Sequence, residues 1–177
     1  QIHDPDYQKY FEHFEPDLFD PKEWAKAAAA AGMKYFVITT KHHEGFCLFD
    51  SKFTDFKAPN TPAGKDLLRE YVDAFRAEGL KVGFYYSLID WHHPDYVPQG
   101  RTGTEIEGRS TDGNWDSYID YMNTQLSELL TQYGDIGGIW FDGMWDRPDA
   151  DWHLAETYEL IHKHQPGALI GSNHHKM

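Results

Sequence analysis

A chain of 177 residues, 40% hydrophobic and 25% charged, is long enough to bury a substantial core and too rich in apolar residues to be a disordered tail. Sixteen Lys plus Arg against 29 Asp plus Glu give a formal net charge of −13 with no basic run, so the long-range field argues against nucleic acid or an anionic membrane as a partner. The single cysteine, Cys47, excludes an intrachain disulfide and any multi-cysteine metal site, and no apolar window approaches the ~18 residues of a membrane span.

In chain order, the first helical signal is Asp20-Pro21-Lys22-Glu23, with Asp20 suited to the N-cap, Pro21 to the first helical position and Glu23 to a capping box. The alanine-rich stretch that follows stops at Gly32. Tyr35 to Thr40 is then a continuous β-branched and aromatic run, as expected of a strand buried on both faces in a parallel sheet. Leu67, Leu68, Tyr71, Val72 and Phe75 recur at helical spacing up to Gly79, and Lys81 to Ser87 predicts a second strand. A helix with the stripe Trp115, Ile119, Met122, Leu126, Leu129 and Tyr133 leads to a third strand, Ile136 to Phe141, running into Asp142-Gly143. Leu154, Tyr158 and Ile161 mark a fourth helix, ended by Pro166-Gly167, before a short strand over 168–172.

Regular alternation of this kind predicts an α/β fold with a parallel sheet, doubly wound or a (β/α)₈ barrel. No G-x-G-x-x-G follows any strand, which counts against dinucleotide binding. Each strand is instead followed by polar and aromatic residues: Lys41 to Phe46, Asp90 to His93, Asp142 to Trp145, and Asn173 to His175. In a barrel these segments share the C-terminal rim, where catalytic groups gather. Such a barrel needs eight strands and typically ~250 residues, and four strands are visible, so an incomplete barrel of about four βα units is expected. The chain opens on Gln1, neither an initiator methionine nor a signal peptide, and its last strand ends just before Met177, so the natural sequence is expected to extend beyond both ends.

Among residues able to do chemistry, Asp142 is the strongest candidate. It ends an apolar strand, and Trp140, two positions earlier, lies on the same side of the pleat. A retaining glycosidase needs one carboxylate as nucleophile and a second as acid/base, and Asp142 suits the first role. The bland alternative is a helix-capping aspartate. His42 and His43 follow a strand directly; on extended backbone they point opposite ways, so only one should face a shared site unless the strand is bulged or turning. They could bind ligand hydroxyls, or a metal together with His92, His93, His174 or His175, although no metal-ligand spacing such as H-E-x-x-H is present. Glu44, Asp50, Asp90, Glu105, Glu107 and Asp146 are expected as solvated loop charges or as partners of the histidines. Alternation puts one of Tyr85 and Tyr86 inside the barrel and the other toward the helices, without saying which. Trp91, Trp140 and Trp145 could form an apolar platform for a sugar, and Cys47 has no arrangement that would activate it.

Taken together, Phe19-Asp20-Pro21-Lys22-Glu23-Trp24, Lys41-His42-His43-Glu44-Gly45-Phe46, Gly83-Phe84-Tyr85-Tyr86-Ser87 with Asp90-Trp91, and Ile139-Trp140-Phe141-Asp142-Gly143 resemble the α-L-fucosidases of glycoside hydrolase family 29. The resemblance runs in family order from about Tyr10 to Asn173. It implies a partial catalytic barrel domain over residues 1–177, truncated at both ends relative to the family. It also implies a retaining exo-hydrolase that releases terminal α-L-fucose from glycoconjugates through a covalent intermediate, with no metal or other cofactor. On that match Asp142 is the nucleophile, His42, His43 and Tyr85 contact the sugar, and Trp140 flanks its apolar side; Glu44, Trp91, Trp145 and His174 are further candidates. The family's H-W-G histidine and its acid/base carboxylate lie in segments absent here, and His174 stands where many members carry arginine. Family members are often exported or lysosomal. Two other readings stay open: a non-catalytic fucose-binding or assembly half-barrel, whose two open sheet edges invite self-association, and a metal-dependent barrel hydrolase using the histidine pairs.

Overall fold

Asp20 caps the helix expected of it, its Oδ1 accepting the Glu23 N–H at 3.0 Å. In the computed structural model, which describes residues 4–100, 103 and 111–173, helix α2 accordingly runs Pro21–Ala30. Before it lies a helix that carries no strong periodic signal, α1 (Asp4–Glu12), held through Phe11 against Phe46 and Phe56. The remaining elements alternate: β1 (Tyr35–Lys41), α3 (Leu67–Ala77), β2 (Lys81–Ser87), α4 (Trp115–Gln132), β3 (Gly138–Asp142), α5 (Leu154–His164) and β4 (Leu169–Ser172). The four strands pair in parallel in the order β1-β2-β3-β4, so every strand ends at one rim. This is an α/β architecture matching part of a TIM barrel.

Pleating assigns the two faces of this sheet. On β2 and β3, Val82, Phe84, Tyr86, Ile139 and Phe141 are buried in one core with Leu68, Val72, Phe75, Met122, Leu126 and Leu129 of α3 and α4. Gly83, Tyr85, Ser87, Gly138, Trp140 and Asp142 occupy the other face. The outer strands differ from expectation. Tyr35 is 69% exposed, Phe36 and Val37 are also exposed, and Leu169 on β4 is 78% exposed. The double-sided burial expected of β1 is therefore absent from its first half, because β1 and β4 are edge strands with a neighbour on one side alone. An apolar groove of about 770 Å³ runs along the β1 side, lined by residues including Phe14, Phe19, Trp24, Val37 and Tyr71.

The end of β1 contains a register shift between Thr39 and Lys41. Thr39 pairs with Tyr85 and Lys41 with Tyr86, leaving Thr40 as the extra residue, whose hydroxyl donates to the Tyr85 carbonyl at 2.8 Å. The extra residue reverses the alternation, so Lys41 turns to the helix side, its Nζ 4.5 Å over the Tyr86 ring. There it donates to Asp90 Oδ2 at 2.9 Å, with both side chains 1% exposed or less. Asp90 Oδ1 accepts the N–H groups of His92 and His93, which fixes the loop after β2. Asp90 is thus no solvated loop charge. Nor is Asp146, whose buried carboxylate accepts from the Tyr96 hydroxyl at 2.6 Å and the Gly100 N–H at 2.7 Å.

Removing one partner of a buried ion pair strands the other charge, at a cost of about 3–5 kcal/mol. Lys41→Met is expected to destabilise the chain by that order in urea denaturation, and Lys41→Met with Asp90→Leu to recover most of it. Loss of less than about 1 kcal/mol in the single variant would contradict this clamp.

Candidate active site

The rim site is built outward from Asp142, the last residue of β3. Its carboxylate is held at both oxygens: Oδ2 accepts the Tyr85 hydroxyl at 2.8 Å, and Oδ1 accepts the Gly143 N–H at 2.8 Å. A hydrogen bond to Asn173 at the end of β4 adds a third anchor. Gly143 has φ 104°, and a Cβ there would come within 2.6 Å of Ile89 Cγ1, so this turn requires glycine. Burial acts to raise the Asp142 pKa, but the hydrogen bonds from Tyr85, Asn173 and Gly143 and the nearby His43 outweigh it and leave the carboxyl below its ordinary value. Asp142 is therefore an ionised carboxylate at neutral pH, half-buried and oriented.

The histidines join this group because of the bulge at Thr40. With Lys41 turned outward, His42 turns to the site face and stacks on Tyr85, centroids 5.6 Å apart and planes 8° apart. β1 ends at Lys41 and the chain turns, so the His43 ring lies 4.1 Å from that of His42 instead of opposite it. Both rings thus reach one site, the outcome expected only of a bulged or turning strand. The two differ electrostatically. His42 Nδ1 is 3.4 Å from Glu44 Oε2, which holds the His42 pKa above its ordinary value against the opposing effect of burial. Burial, reinforced by the charge of His42, lowers the His43 pKa to about 4. His43 is neutral at physiological pH.

Aromatic side chains wall this cluster. Trp91 and Trp145 meet the His43 ring edge-on at 5.6 and 5.7 Å. Trp140 is 44% exposed on the site face, beside Gly171, where a Cβ would lie 3.1 Å from the indole. Tyr85 and Tyr86 separate as alternation requires: Tyr86 is buried on the helix side, donating to Gln125 Oε1 at 2.8 Å, while Tyr85 faces Asp142. Cys47 is fully buried, which pushes its thiol up to about 12 and makes it inert as a nucleophile. His174, Glu105 and Glu107 lie outside the described residues. Among the described residues, no three His, Cys, Asp or Glu side chains are grouped to hold a metal.

Two contributors to the site were not singled out from sequence: Ser87, bonded to His43 Nδ1 at 2.7 Å, and Asn173, bonded to Asp142; Asp90, expected as a loop charge or a partner of the histidines, accepts the His92 and His93 N–H groups and is buried against Lys41. Ser87 was detectable in principle. It lies two residues from Tyr85 on the same strand, hence on the same face, and it pairs with Asp142 in register.

An oriented carboxylate among histidine, hydroxyl and aromatic side chains, at the C-terminal rim of parallel βα units, is the arrangement of a barrel glycoside hydrolase. The comparisons define the family. The α-L-fucosidase family model matches residues 2–177, so the chain belongs to the α-L-fucosidases, glycoside hydrolase family 29. It is 35% identical over 164 residues to putative alpha-L-fucosidase 1 of Oryza sativa subsp. japonica, covering 90% of this chain and 29% of that protein. Tissue alpha-L-fucosidase of Homo sapiens is 30% identical over 161 residues, covering 90% of this chain and 33% of that protein. Among solved structures, alpha-L-fucosidase isoenzyme 1 from Paenibacillus thiaminolyticus superposes with a TM-score of 0.83 at 54% identity, covering 96% of this chain and 41% of that one. A family 29 enzyme from Bacteroides thetaiotaomicron gives 0.82 at 37% identity, covering 96% of this chain and 37% of that one. The chain thus spans about a third of the length of these curated relatives.

The depressed His43 pKa has a consequence for stability. A histidine held neutral by the fold takes up protons more readily once unfolded, so its stabilising contribution is complete above about 6.5 and is lost as pH falls toward about 4. Urea denaturation between pH 7 and pH 4 is expected to show stability declining, with a shallower decline in His43→Gln. An identical pH slope in the two proteins would contradict the assignment.

Proposed function

We propose that this chain carries the sugar-binding and nucleophile-bearing part of a retaining exo-α-L-fucosidase. The observation that carries the reading is the ionised Asp142 carboxylate, fixed by Tyr85 and Gly143 and surrounded by His42, His43 and Trp140. In the proposed reaction an Asp142 oxygen attacks the anomeric carbon of a terminal α-L-fucoside, and the bond from that carbon to the leaving oxygen breaks. A proton from a carboxylic acid outside these 177 residues goes to the leaving oxygen, and water then cleaves the glycosyl-enzyme ester. A relative from Bacteroides thetaiotaomicron has been captured as a covalent intermediate with 2-fluoro-fucosyl fluoride, which supports the covalent route. His42 and His43 hydrogen-bond the sugar hydroxyls, Tyr85 touches both sugar and nucleophile, and Trp140 covers the apolar side. Glu44 orients His42, while Trp91 and Trp145 close the wall behind His43. The substrates are fucosylated oligosaccharides or glycoconjugates.

The exposed apolar residues on the β1 and β4 edges favour a second property, association of two copies edge to edge. Sedimentation is expected to show a dimer, and a stable monomer at micromolar concentration would contradict it. For catalysis the decisive assay is turnover of an aryl α-L-fucoside. Turnover is expected to be about 10²–10⁴-fold or more below that of an enzyme with its proton donor in place, and to vanish in Asp142→Ala. Turnover unchanged by that substitution would contradict the nucleophile assignment, and binding of fucose without turnover would favour a non-catalytic module.

A further inference from the structure

Ser87 occupies a position in which its single proton can be assigned. Its Oγ lies 2.7 Å from His43 Nδ1, 2.8 Å from the Ile89 carbonyl oxygen and 3.0 Å from the Ile89 N–H, and Ser87 and Ile89 are fully buried. A carbonyl oxygen can only accept, so the 2.8 Å contact is favourable only when the Ser87 hydroxyl donates to it. Giving the proton to Nδ1 instead would press two acceptor oxygens together in a dry site. With the proton committed to Ile89, the Ser87 oxygen is left as an acceptor. It then accepts from the Ile89 N–H and from Nδ1–H of His43.

This arrangement decides what His43 presents to a ligand. The groups acting electrostatically on the ring are His42, Asp142, Glu44 and Lys41, and their sum with burial keeps it neutral, so it carries one proton. If that proton is on Nδ1, the lone pair is on Nε2, which has no hydrogen-bond partner among the described residues. His42, tied to Glu44, keeps the more basic ring.

We infer that Ser87 is a positioning residue that sets the tautomer of His43, making Nε2 an acceptor that requires a hydroxyl donor on the ligand. The inference rests on the fucose reading for the identity of that ligand, and for the tautomer on the Ser87 geometry together with the burial that keeps the ring neutral. It gives the site two neighbouring acceptors, Nε2 of His43 and the carboxylate of Asp142. A ligand with two suitably placed hydroxyl donors satisfies both, whereas a fully alkylated one satisfies neither.

The test is two-bond ¹⁵N–¹H NMR of the histidine-labelled chain at pH 7, with the His43 signals assigned by their loss in His43→Gln. The expected spectrum has a pyrrole-type Nδ1 and a pyridine-type Nε2 for His43. Ser87→Ala is expected to lose that pattern and Ser87→Thr, which keeps the hydroxyl, to retain it. A protonated Nε2 in the unaltered chain would overturn the inference, as would a folded Ser87→Ala protein with the pattern intact. If Ser87→Ala does not fold, the unaltered spectrum and Ser87→Thr still decide the tautomer. Titration with L-fucose is expected to shift the Nε2 resonance and leave Nδ1 protonated. An Nδ1–H tautomer that ignores fucose would overturn the sugar reading and leave the role of Ser87 standing.

Discussion

The site depends on one extra residue in one strand. The bulge at Thr40 sends Lys41 into the helix layer and His42 onto the opposite face, a reversal that regular pleating would not allow. What holds the reversal in place is the buried Lys41–Asp90 pair. A lysine driven into an apolar layer must find a carboxylate, and Asp90 in turn gathers the N–H groups of His92 and His93. The Trp91 N–H donates to the His43 carbonyl at 2.8 Å, so the same clamp ties the β1 and β2 rims together. Gly45 completes it, since a side chain there would collide with the Asp90 carboxylate.

The architecture was legible in the sequence wherever burial imposes a period. Lys81 to Ser87 forms a strand with those limits, and Leu67, Leu68, Tyr71, Val72 and Phe75 are all buried on α3, because each repeats at the spacing of the face it buries. Asp20 and Gly32 bracketed α2 through capping chemistry that acts locally. β1 misled for a tertiary reason. An apolar run shows that a strand is fit to be covered on both faces, and says nothing of whether a neighbour is present to cover it. α1 was missed because a short helix held through a single ring such as Phe11 carries little periodicity.

The site was legible in part, and for a different reason. Asp142 and Trp140 sit two apart on an apolar strand, so pleating alone placed them together. Tyr85 and Tyr86 could not be separated by alternation, whose phase is fixed only once β2 is seated against α4. Lys41 and Asp90 are 49 positions apart, and nothing local to either marks them as a pair; their burial is a property of the assembled rim. The pairing of Ser87 with His43 also waits on that assembly, as the register of β1 against β2 brings them together.

Nucleophile and proton donor are separable in this chemistry, so the role proposed for Asp142 can be tested by itself. A fluoride leaving group departs without protonation, so the attack by Asp142 can be observed by itself. The chain should be incubated with 2-fluoro-fucosyl fluoride and its peptides mapped by mass spectrometry. As the Asp142 oxygen bonds to the anomeric carbon and fluoride leaves, one sugar should become attached through an ester, on the peptide containing Asp142 and absent from Asp142→Ala. A label on any other residue, or one that persists in Asp142→Ala, would contradict the account.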